Sequence, residues 1–200
     1  MSHNSGDEVW HAFVTGPLTF QLRDGRACVM RPMTEDDAEE LCAVLPKMHS
    51  ESDFLNYLPG EFSKTVEEEK EYVREHTTMP GSLAVAAEVD GCIVAVGGAR
   101  SPEFKRMAHH AELGLVVLKE FWGLGIGRKI METIIEWGLR RRLRKMYLKV
   151  YADNDRAINL YRLLGFVEEG HLRQDIQRGD GTYGDTLIMA RYFASRTSGS

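Results

Sequence analysis

Two short apolar-rich runs, 18–22 and 27–31, flank Asp24-Gly25, a pair suited to the positive φ of a tight hairpin. Thr34 followed by Glu35-Asp36-Asp37 supplies a hydroxyl cap with acids in the first turn of a helix. Ala38, Leu41, Cys42 and Leu45 keep helical spacing until Pro46, where that helix is expected to end. A second, acid-rich helix is predicted over 65–76, with Val66, Tyr72 and Val73 on its inner face. Runs 83–88 and 93–99 form another hairpin around Asp90-Gly91, and 111–118 reads as a strand. A long helix over 127–142 carries Ile130, Ile134 and Trp137 on one stripe, with Met131 and Ile135 beside it. The nearly continuous apolar run 146–151 predicts a strand buried on both faces. A short helix over 155–164 is closed by Gly165, and 166–167 and 187–191 are the last strands, turning at Gly179-Asp180-Gly181. The order is a hairpin and helices, an antiparallel middle, then β-α-β-α-β. It predicts one mixed α/β domain, not a repeated βαβ sheet.

Composition changes this picture little. The 200 residues are 43% apolar and 28% charged, ordinary for a globular chain with a sizeable core. A single domain is expected over 17–194, between a flexible N-terminal extension, 1–16, and a flexible tail, 195–200. The net charge of −5 argues against a nucleic-acid binder. No long apolar run suggests a membrane span, and the first residues are unlike a signal peptide. Cys28, Cys42 and Cys92 are odd in number, widely spaced and without a CxxC pair. They read as reduced, mostly buried thiols of a cytoplasmic protein, and nothing calls for a metal.

The chemistry concentrates at residues 121–130, FWGLGIGRKI. Gly123, Gly125 and Gly127 lie between a strand and a helix start, a usual place to hold phosphate. A dinucleotide fingerprint requires glycine at its sixth position, where Arg128 or Ile130 stands instead, and a P-loop requires Gly-Lys-Ser/Thr, which is absent. What survives is a pyrophosphate site made by the main-chain amides from Gly123 to Arg128, with the Arg128 side chain adding a cation. A tight strand-helix turn that happens to be glycine-rich is the alternative.

The flanking block ELGLVVLKEFWGLGIGRKIMETIIEWG, with the later VYADNDRAINLYRLLGFVEEG, resembles the GNAT-type N-acetyltransferase superfamily. Trp122-Gly123-Leu124-Gly125-Ile126-Gly127 falls on that family's coenzyme A loop, with Trp122 where arginine or glutamine is usual. Asn154, Ala157, Ile158, Leu160, Tyr161, Gly165 and Phe166 match its second motif. The resemblance covers roughly residues 27–192. It implies a mixed, mostly antiparallel sheet of about six to seven strands, splayed at the cofactor site and flanked by about four helices. It also implies acetyl-CoA as cosubstrate, acetyl transfer to a primary amine by direct attack, and an acceptor that is a small molecule such as an amino acid. A ribosomal-protein-like N-terminal acetyltransferase and a non-catalytic acetyl-CoA-binding module are the alternatives.

By the same resemblance, Leu115, Val116 and Val117 bind the pantetheine arm through their main chain. Gly123, Leu124, Gly125, Ile126, Gly127 and Arg128 hold the pyrophosphate, and Asn154, equally placed to cap a helix, contacts the arm. Tyr161 matches the general acid: a phenol is little ionised at neutral pH and so stays protonated. Some relatives carry a glutamate at the position of Lys149. Glu112 is the next carboxylate in reach for the base, and His109, His110 or a water chain are the other routes. The basic run 140–145 reads as a solvated helix end rather than a nucleic-acid patch. Tyr183 and Asp185 could face the acceptor. Oligomeric state is not readable from these residues, though many relatives pair as homodimers.

Overall fold

A computed structural model of the protein describes residues 16–194 other than 53, 56 and 59. The expected N-terminal extension, save its last residue, and the expected tail lie outside that range. Strands β1 (Leu18–Gln21) and β2 (Ala27–Pro32) pair antiparallel around a turn in which Gly25 takes φ 90°. Glu35–Asp37 forms a single 3-10 turn leading into α1 (Ala38–Ser50). This helix does not stop at Pro46 but runs through it. The ring removes one helix donor, yet Leu45 and Met48 are buried on either side of it, so core packing carries the turn. Helix α2 (Val66–Thr78) opens with Thr65, whose hydroxyl accepts from the Glu68 amide at 3.3 Å while the Thr65 amide donates to the Glu68 carboxylate at 2.8 Å. Its inner face corrects the expectation. Glu69 and Val73 are buried and Tyr72 is exposed, because Lys64 meets the Glu69 carboxylate at 3.0 Å and lies 3.7 Å over the Tyr72 ring.

Strands β3 (Ser82–Val89) and β4 (Cys92–Arg100) form the second hairpin, and β5 (His110–Val117) pairs antiparallel with β4. Helix α3 (Ile126–Arg140) then returns the chain to β6 (Lys145–Tyr151), which runs parallel to β5. Ile130, Ile134 and Trp137 are fully buried, as their stripe predicts. Close approach of this helix to the sheet needs glycine: a Cβ at Gly97 would stand 2.5 Å from an Ile130 methyl. Helix α4 (Asp155–Leu163) ends before Gly165 at φ 82°, and β7 (Val167–Gln177) and β8 (Tyr183–Tyr192) complete one sheet in the order β1-β2-β3-β4-β5-β6-β8-β7.

The sheet is thus mixed and mostly antiparallel, and the described residues form eight strands rather than six or seven, with four α-helices. Strand β7 spans eleven residues where two were expected, since its polar sequence at the sheet edge lacks a hydrophobic signal. Strand β6 buries Met146, Leu148 and Val150 but leaves Lys149 exposed, so it is covered on one face and not on both. Of the cysteines, Cys28 is buried, Cys42 half-buried and Cys92 exposed. Among the described residues no helix is long and apolar enough to cross a membrane.

Candidate active site

Strands β5 and β6 are joined at three rungs only, His110–Lys145, Ala111–Met146 and Glu112–Tyr147. Beyond Glu112, β5 continues beside β4 as far as Val117, and β6 continues beside β8 as far as Tyr151. The two strands therefore part. The Leu118 amide donates to the Val94 carbonyl at 2.9 Å, which sets the alternation along β5. Val116 shares its main chain with β4, whereas Leu115 and Val117 turn their amides and carbonyls into the gap. Of the three expected strand residues, Leu115 and Val117 turn main chain there, the Val117 carbonyl accepting from the Trp122 indole at 2.7 Å, and Val116 lines the cavity as well. The gap opens into a cavity of about 1170 Å³ that runs from Glu112 to the glycine loop.

At the loop, Gly123 and Gly125 take φ 82° and 104°, conformations that cost a side-chain-bearing residue dearly. The first bond of α3 runs from the Lys129 amide to the Gly125 carbonyl at 3.1 Å. The amides of Ile126, Gly127 and Arg128 are left with no intrahelical partner at the positive end of the dipole, and no side chain caps them. Gly127 serves packing as well: a Cβ there would meet a Leu115 methyl at 3.2 Å. Arg23, in the β1–β2 turn, braces the loop and also lines the cavity. Its Nη1 donates to the Gly123 carbonyl at 3.0 Å and its amide to the Leu124 carbonyl at 3.2 Å. Leu124 packs on the core and does not line the cavity, and Arg128 turns along the helix to donate to Glu132 at 2.8 Å.

Tyr161 lines the same cavity from α4, half-buried, its ring centroid 6.1 Å from that of Phe166. Burial pushes its phenol up to about 12, and among the described residues its hydroxyl has no hydrogen-bond partner. Asn154 caps α4, its Oδ1 accepting from the Ala157 amide at 3.1 Å, and also borders the cavity. Glu112 stands where the strands part and accepts from the Tyr147 hydroxyl at 3.1 Å. Burial first, then the Glu112 charge, pushes Tyr147 up to about 12. Lys149 borders the cavity from β6.

His109 and His110 do not line the cavity; His110 lies against the Tyr147 ring at 5.6 Å. Tyr183 is exposed, and Asp185 is held by His171 Nε2 and the Gln174 amide, each at 2.8 Å, so neither faces the cavity. Thr186 and residues 175–177 do instead.

Sequence reasoning missed His49. It lies in the last turn of α1, past the proline expected to end that helix. Its ring stacks on Phe62 and meets Tyr57 edge-on, both at 5.0 Å, and it lines the cavity. Burial lowers its pKa, and its Nδ1 is buried with no partner. The available signal was the aromatic spacing of Phe54, Tyr57 and Phe62 just downstream. Tyr151 ties this segment to β6, donating its hydroxyl to the Leu55 carbonyl at 3.1 Å.

A mixed sheet that parts between two parallel strands, with an uncapped glycine helix start at the mouth, defines an α/β domain with a slot between its strands. The comparisons name it: the chain matches the Acetyltransferase (GNAT) family over residues 51–166 and belongs to that family. It is 30% identical over 116 residues to L-amino acid N-acetyltransferase AaaT of Escherichia coli, covering 56% of this chain and 69% of that one. It is 32% identical over 88 residues to spermidine N(1)-acetyltransferase of Vibrio cholerae, covering 44% of this chain. There the chain spans 50% of the relative's length. A solved GNAT acetyltransferase from Streptococcus pneumoniae superposes with a TM-score of 0.79 at 27% identity, over 83% of this chain and 99% of that one.

Proposed function

We propose that the protein transfers an acetyl group from acetyl-CoA to the primary amine of a small acceptor such as an amino acid, by direct attack. The observation that carries this reading is the parted pair β5–β6. It leaves the Leu115 main chain and the Val117 amide unpaired by a neighbouring strand, in a cavity that also contains Tyr161 and ends on the uncapped amides of residues 126–128. The site suits acetyl-CoA: strand groups for the amide-bearing arm, glycines that keep the loop clear, and a positive helix end for the diphosphate. When bound, acetyl-CoA supplies an activated thioester. Tyr161, protonated well beyond neutral pH, is the residue that gives a proton to the departing sulfur. An incoming ammonium must lose a proton, and Glu112 at the fork, Asp175 and the neutral His49 imidazole all line the cavity and can take it. Asn154 fixes the first turn of α4 and so the place of Tyr161.

The acceptor end favours an amino acid over a polyamine. Lys149 stands there among Phe54, Tyr57 and Tyr151, with Glu112 and Asp175 as the carboxylates of the lining. A polycation would call for more acids, whereas Lys149 offers a carboxylate its counter-ion. Release of free thiol from acetyl-CoA over a panel of amino acids, polyamines and peptides tests this. Turnover with amino acids supports the reading, and turnover confined to peptides would favour the N-terminal acetylating alternative. Tight binding with no turnover across the panel would mark a sensing module, the reading that Lys149 and Trp122 keep alive.

A further inference from the structure

Three guanidinium groups surround the glycine loop, and two of them are engaged. Arg23 donates to the Gly123 carbonyl and Arg128 to the Glu132 carboxylate. Arg156, exposed in the first turn of α4, has no acceptor among the described residues. Its guanidinium carbon lies 4.9 Å from the Trp122 ring centroid, and its Nη2 would be 3.9 Å from a Cβ placed on Gly123. The platform beneath it is fixed as well, because the Trp122 indole N–H donates to the Val117 carbonyl at 2.7 Å. The backbone carrying Arg156 is held by the Asn154 cap on Ala157.

We infer that Trp122 and Arg156 act as one unit: the indole holds the Arg156 guanidinium at the mouth of the loop as the side-chain cation for the diphosphate of the acyl carrier. This rests on the acetyl-CoA reading above and deepens it. A guanidinium on an aromatic face loses little further freedom when it binds an anion, and its unsatisfied donors match phosphate oxygens. Trp122 carries no charge itself, so the loop gains its free cation from α4, across the parted strands. The donor site is then complete only when the two halves of the sheet are in register.

Titration calorimetry of the full chain with CoA, dephospho-CoA and pantetheine tests this without requiring turnover. Arg156→Gln is expected to weaken CoA and dephospho-CoA about tenfold, the scale of one charge-assisted hydrogen bond, and to leave pantetheine within about twofold. Trp122→Ala should weaken the same two ligands several-fold, and adding it to Arg156→Gln should cost little more, because the pair acts as a unit. Unchanged CoA affinity in Arg156→Gln would overturn the inference. So would an equal loss for pantetheine, which would mark a disturbed fold. A loss seen with CoA but not with dephospho-CoA would overturn the diphosphate assignment in favour of the 3′-phosphate. A wild-type chain that binds CoA no better than pantetheine would sink the loop reading itself.

Discussion

The two ends of the cavity are built in different ways. The end proposed for the donor comes from one continuous stretch, β5, the glycine loop and α3, and what it offers is largely main chain: Leu115, the Val117 amide and the amides of residues 126–128. The end proposed for the acceptor is assembled from the last turn of α1, the segment after it, β6 and the β7–β8 pair, and its lining includes His49, Tyr57, Lys149 and Thr186. Main-chain chemistry constrains sequence through glycine and spacing. Side-chain chemistry gathered from distant elements leaves no local trace.

Four outcomes would sharpen or break that division, taken here from largest to smallest. Tyr161→Phe should lower kcat by about 10²–10⁴-fold, the range for a lost general acid, while CoA affinity by calorimetry stays within about twofold. An unchanged kcat would remove Tyr161 from the chemistry. Gly125→Val forces a β-branched residue to φ 104° and should raise the Kd for CoA about tenfold, leaving the acceptor KM alone. A shift in acceptor KM instead would erase the boundary between the two ends. Lys149→Gln should do the reverse. The KM of an amino acid should rise about fivefold, that of an amine without a carboxylate should hold, and CoA affinity should be untouched.

The last outcome is an absence of change. A phenol raised from 10 to about 12 keeps its proton in the folded protein across pH 8–10, so kcat should show no alkaline fall there from Tyr161. The sign for stability follows. Below pH 10 the phenol is neutral in both folded and unfolded chains. Between 10 and about 12 only the unfolded chain ionises, so stability should decline in that window, as denaturant titration at stepped pH would show.

How much could be read in advance follows the same line. Gly123, Gly125 and Gly127 announced the loop because their backbone angles and close contacts leave few substitutes, and the stripe of α3 announced its packing. Pro46 misled, since burial of Leu45 and Met48 outweighs a local helix breaker, and with it went the position of His49. Strand β7 went unseen because an edge strand of alternating polar residues has no apolar signature. Tyr183 and Asp185 are near neighbours of Thr186 in sequence, yet Thr186 lines the cavity and they do not, and only tertiary pairing shows which does.

The three rungs between β5 and β6 have a mechanical consequence. Five strands lie on one side of that seam and three on the other, stitched at a single corner, so the molecule is two plates with a slot between them. Whatever fills the slot also serves as mortar. A saturating CoA concentration should lift the melting temperature of the whole chain, and the amides of Leu115 and Val117, which face the slot, should be among those whose hydrogen exchange slows most.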